Sequence, residues 1–154
     1  MNKRRLIIGL GNILLKDEGV GVKCVEYLKG KPLDEDVKLV DGATLGFDLL
    51  EEIEGFEKVV IVDAVDMGKE PGFVASFRAE EVLSLPGSKK FSLHEIGLAE
   101  VLQVGSQIGY DFSRATIVGI QPREILRGEN LSPEVEARLP DLADKVLEEI
   151  GKKG

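Results

Sequence analysis

The chain has no tryptophan, one cysteine, one histidine and only 5% aromatic residues. A single cysteine excludes an internal disulfide framework. Cys24 sits in the series Val20, Cys24, Tyr27, Leu28, which is one helical face, so it reads as a small buried apolar residue. A catalytic thiol would need an imidazole nearby, and no local pattern supplies one. Long hydrophobic runs are missing as well. The N-terminal apolar run Leu6-Ile7-Ile8 is far too short for a signal peptide or a membrane span, which makes the cytoplasm the default compartment and leaves no membrane partner. Basic clusters are also scarce: 20 Lys and Arg stand against 28 Asp and Glu, a net charge of −8. Nucleic-acid and anionic-membrane binding are led by clustered cations, so neither is expected. A basic or metal-loaded partner is compatible with this balance. No repeat, linker or low-complexity tract interrupts the 154 residues. Residues 1–154 are therefore expected to form one domain with a proper core, monomeric by default.

What is present alternates between short β-type runs and helical patterns. Leu6-Ile7-Ile8-Gly9-Leu10 reads as a buried strand, followed by a glycine-containing turn and a helix to about Lys29. Val37-Lys38-Leu39-Val40 is a second strand, ended by Asp41-Gly42. Thr44 is placed to cap a helix carrying Phe47, Leu49, Leu50 and Ile53. Val59-Val60-Ile61-Val62 is the clearest strand, four β-branched residues buried on both faces of a sheet. Residues 72–77 form a shorter strand and residues 115–120 a continuous apolar one. Ser132-Pro133 opens the last helix, with Ser as N-cap, and Pro140 kinks or restarts it. Strands alternating with helices imply a largely parallel sheet covered on both sides, the α/β class. In such sheets ligands bind beyond the carboxyl ends of the strands.

Three side chains follow strand-then-turn segments: Glu18, Asp63 and His94. A lone histidine leaves few other ways to assemble a divalent-metal site. Two carboxylates and one imidazole suit several first-row metals and leave open positions for water or substrate. Asp63 ends the most buried strand, where an unpaired carboxylate is costly and a cap or turn role is the structural alternative. Ser92-Leu93-His94-Glu95 matches a capping box, so His94 falls in a first helical turn. The dipole there favours neutral imidazole, the metal-binding form, while Glu95 folds back to the backbone. The turn Gly9-Leu10-Gly11 also invites a nucleotide reading, with Asp41 in the place of the ribose-binding acid. Leu14 occupies the position of the third glycine, however, and Asp17 and Glu18 would repel a pyrophosphate.

These residues, in this order, resemble the hydrogenase maturation endopeptidases. The resemblance rests on G-x-G-N-x-L-x-x-D-E-x-x-G, here Gly9 to Gly21, and on Asp41-Gly42 followed by Thr44. It continues through Val62-Asp63-Ala64, through His94 with Gly97-Leu98-Ala99 after it, and through Val118-Gly119-Ile120-Gln121-Pro122. It runs almost end to end.

The resemblance implies a three-layer α/β/α sandwich around a mostly parallel five-stranded sheet, phosphorylase/hydrolase-like in arrangement. It implies a hydrolase making one endoproteolytic cut. That cut removes the C-terminal extension of the nickel-loaded large-subunit precursor of a nickel–iron hydrogenase, the expected partner. Glu18, Asp63 and His94 become the metal-contacting residues. Asp41, Asp63 and Glu18 become the candidate catalytic carboxylates, in the manner of an aspartyl protease. Nickel, contributed by or recognised in the substrate, is the only cofactor expected, with no permanent organic one. A non-catalytic, metal-sensing assembly chaperone and a nucleotide-binding α/β protein are the rival classes.

Overall fold

The computed structural model describes residues 4–82 and 97–152. Five strands form one sheet: β1 (Arg5–Leu10), β2 (Val37–Ala43), β3 (Lys58–Ala64), β4 (Val74–Arg78) and β5 (Ala115–Ile120), in the spatial order β2-β1-β3-β5-β4. The first four neighbours in that order run parallel, and β4 pairs antiparallel with β5 at one edge. The expected mostly parallel α/β sheet is thus present, with the shortest strand reversed.

Alternation along each strand splits the core into two layers. Leu6, Ile8, Val59, Ile61 and Ile117 pack on one face with Leu49, Leu50, Leu98, Val101 and Leu102. The last five come from α2 (Leu49–Glu52) and α4 (Leu98–Gln107). Ile7, Val60, Val62, Val118 and Ile120 pack on the other face, against α1 (Val20–Leu28) and α6 (Leu139–Gly151). Every residue of β3 and β5 is buried, as a strand between two helical layers must be. The short α3 (Ala79–Val82) and α5 (Pro133–Ala137) complete the helical layers.

The connections locate the ligand-binding crevice. From β1 the chain crosses through α1 to β2 on one side, whereas β3 lies on the other side of β1. The gap beyond the carboxyl ends of β1 and β3 is therefore the topological switch point, where open α/β sheets bind ligands.

Local details depart from the sequence expectations at two caps. Thr44 does not cap a helix: a 3₁₀ turn (Gly46–Asp48) leads into α2, and neither start carries a side-chain cap. The Gly9/Leu10 bulge pairs Leu10 with Ala43, and Ala43 takes a positive φ of 40°, so the chain turns before Thr44 can serve. Ser132 holds the N-cap position of α5, but its hydroxyl makes no cap bond; it donates to Asp17 instead. The hydroxyl gives its proton to the buried carboxylate, a charge-assisted bond stronger than a neutral one. Pro140 lies in the first turn of α6, restarting the helix as expected.

Candidate functional site

Glu18 lies in a 3₁₀ turn (Lys16–Gly19) between β1 and α1. The glycines around it explain why the chain follows this route. A Cβ on Gly11, whose φ is +129°, would stand 1.9 Å from the carbonyl oxygen of Glu18. A Cβ on Gly21 would stand 2.3 Å from the carbonyl oxygen of Val62 and 2.4 Å from that of Leu10. The turn and the start of α1 are thus pressed into the gap between β1 and β3, with no room for a side chain on either glycine. G-x-G here packs protein on protein. Asp17 and Glu18, both buried, occupy the helix N-terminus where a pyrophosphate would have to sit.

Asp63 closes β3 and is fully buried, opposite Gly119 of β5 in register. Its Oδ1 accepts the backbone N–H of Ala64 at 2.9 Å. Strand alternation puts it on the face of Val59 and Ile61, the layer that contains Leu98 of α4. Val62, its neighbour, carries the carbonyl against which Gly21 packs. Glu18 and Asp63 therefore belong to the same end of the same crevice.

Asp41 sits at the carboxyl end of β2, in register with Gly9. Unlike the other two it is exposed, and its Oδ1 accepts the backbone N–H of Ala43 at 2.9 Å. It shares the rim but stands one strand further out. His94, and the capping box Ser92 to Glu95, lie outside the described residues. Among the described residues no three His, Cys, Asp or Glu side chains gather as a metal cluster.

Two residues whose roles the sequence left unread hold the crevice together. Asp17 accepts four hydrogen bonds from the loop between β5 and α5. The donors are the backbone N–H groups of Arg123 and Glu124 (both 2.9 Å), the N–H of Ser132 (2.7 Å) and its hydroxyl (2.8 Å). The only signal for this was an acid beside an apolar helix start, which does not name a partner. Gln121, just past β5, ties down the loop after β3. Its Oε1 accepts from the N–H groups of Met67 (2.6 Å) and Lys69 (3.3 Å), and its Nε2 donates to Asp66 (3.2 Å). Cys24 is buried in the α1 layer, and burial pushes its thiol up to about 12. It stays a protonated core residue.

The Hydrogenase maturation protease family model matches residues 22–149. A HupD hydrogenase expression/formation protein of Rhodobacter capsulatus is 37% identical over 150 residues, covering 96% of this chain and 71% of the relative. The Hydrogenase 2 maturation protease of Escherichia coli is 36% identical, covering 98% of this chain and 93% of the relative. The structure of the E. coli hydrogenase maturating endopeptidase HybD superposes with a TM-score of 0.79 at 34% identity, over 94% of this chain and 90% of that one. The sheet order, the carboxylates at its switch point and these likenesses agree, and the chain belongs to the hydrogenase maturation protease family.

Proposed function

We propose that the chain cuts the C-terminal extension from the large-subunit precursor of a nickel–iron hydrogenase. The observation that carries this reading is the placement of Glu18 and Asp63, two buried carboxylates, at the switch point of a family member's sheet.

Peptide hydrolysis needs an activated water and a protonated leaving nitrogen. A carboxylate takes one proton from water as its oxygen adds to the scissile carbonyl carbon. When the C–N bond breaks, that proton passes to the departing amine. The products are the mature subunit's new C-terminal carboxylate and a free peptide. Glu18, Asp41 and Asp63 are the candidate bases.

Nickel enters as cargo of the substrate. Buried, acceptor-only carboxylates fit a cation and repel an anion. Glu18, Asp63 and His94 are the proposed contacts to it, a donor set suited to a divalent first-row metal. Metal recognition would dock the tail and align its scissile bond with the base. No described helix is long and apolar enough to cross a membrane; the cytoplasm is the compartment we propose.

The test mixes purified protein with nickel-loaded and nickel-free precursor and follows intact mass. The expected result is loss of the C-terminal extension from the nickel-loaded form alone. Equal cleavage of both removes nickel gating. Binding without any mass change makes the chain an assembly chaperone and removes the protease reading.

A further inference from the structure

We infer that Asp17 is a positioning residue for the cleavage: by locking the 3₁₀ turn to the loop between β5 and α5, it sets the direction in which Glu18 enters the crevice. This rests on the protease reading above.

Asp17 is wholly buried, and among the described residues three backbone N–H groups and one hydroxyl, rather than a lysine or arginine side chain, hydrogen-bond its carboxylate. Burying an anion is costly, and a turn that needed only an anchor could use an apolar side chain. What a carboxylate adds is direction, because both of its oxygens accept, and here Oδ2 takes three bonds and Oδ1 one, all from one loop. The backbone joins in. The N–H of Asp17 donates to the carbonyl of Glu124 at 3.2 Å, that of Lys16 to Gly128 at 2.8 Å, and that of Gly128 to Leu14 at 2.8 Å.

Residues 17 and 18 are consecutive in a 3₁₀ turn, which has about three residues per turn, so their side chains leave it roughly 120° apart. Fixing one fixes the other. On one side the backbone of Glu18 is wedged against Gly11; through its other side the turn is held by the carboxylate of Asp17. The remaining freedom, a roll about the turn's axis, is the motion that would re-aim Glu18. The Asp17 bonds oppose that roll.

The experiment is multiple-turnover cleavage of nickel-loaded precursor by wild type, Asp17→Asn, Ser132→Ala and Glu26→Gln. Asp17→Asn keeps the shape but gives up the charge and turns one acceptor into a donor facing N–H groups. A misaimed Glu18 lowers turnover and loosens its proposed nickel contact, so kcat is expected to fall about ten-fold, more than KM rises. Ser132→Ala removes one of the four bonds from outside the turn and should give a smaller loss with the same split. Glu26→Gln breaks the exposed Lys29–Glu26 ion pair at the far end of α1 and should leave both constants unchanged. Wild-type kcat in folded Asp17→Asn, or a rise in KM alone, overturns the assignment. If Asp17→Asn does not fold, Ser132→Ala decides it: an unchanged kcat there overturns the assignment equally. A wild type that leaves nickel-loaded precursor whole overturns the protease reading, and the Asp17 assignment with it.

Discussion

A Cβ placed on Gly21 would lie 2.3 Å from the carbonyl oxygen of Val62. This contact seats the first turn of α1 on β3 one residue before Asp63. It ties the part of the chain that carries Glu18 to the strand that carries Asp63. The carbonyl is backbone, so it cannot rotate away from an added Cβ.

Gly21→Ala is therefore expected to push α1 off the sheet and separate the two carboxylates. Overpacking of this kind costs about 1–3 kcal/mol, and a misplacement of about 1 Å can lose roughly 100-fold in rate. Denaturant unfolding together with precursor cleavage checks both. Cleavage at the wild-type rate would show that the packing at Val62 does not set the site.

Glu18→Gln and Asp63→Asn keep shape while removing a charge. Removal of a general base typically loses about 10²–10⁴ in rate. One of these two variants or Asp41→Asn should fall in that range under saturating nickel-loaded precursor, and all three should remain folded by circular dichroism. His94→Ala is expected to lose activity with them; full activity in that variant would strike His94 from the site.

Cys24 should be silent. Its thiol is buried and pushed up to about 12, so little thiolate forms near neutral pH. Native protein treated with iodoacetamide is expected to keep its mass and its activity, and to take up one adduct only after unfolding. Rapid labelling of the native protein would contradict the core placement.

Acid should weaken the fold through groups remote from the crevice. Hydrogen bonds from Arg5 hold the Asp36 carboxyl below its ordinary 3.8. Burial alone would raise Glu149, but hydrogen bonds from Lys152 and Ser76 and the nearby lysine charges bring it below its ordinary 4.5. Because both folded values are depressed, their contribution is complete above the ordinary values and disappears as pH falls below them. Urea midpoints should thus be flat from about pH 7 to about 5 and fall below that, and Glu149→Gln should flatten part of the fall. A midpoint that does not move down to about pH 3 would contradict the sign.

Much of this protein was readable along the chain. The four β-branched residues Val59 to Val62 could only be a central strand, and they are buried throughout. The two rim carboxylates Glu18 and Asp63 followed from their positions after strands. The antiparallel edge was not readable. Residues 74–78 carry a strand pattern, but local hydropathy has no term for direction, which was set by the short link after β3 and by pairing with β5.

Hydropathy period is a local property, and it determined the elements, their alternation and the two-faced core. Hydrogen-bond partnership is not local. The donors that satisfy Asp17 lie 106 to 115 residues away, and Gln121 reaches back 52 to 55 residues to the loop after β3. Ser132 carries every local mark of a helix cap, yet its hydroxyl went to the buried anion that only the folded chain brings to it. Local spacing determined which residues stand at the mouth of the sheet. The tertiary structure decided what holds them there, because the desolvation cost of a buried charge is met by whichever donors folding delivers.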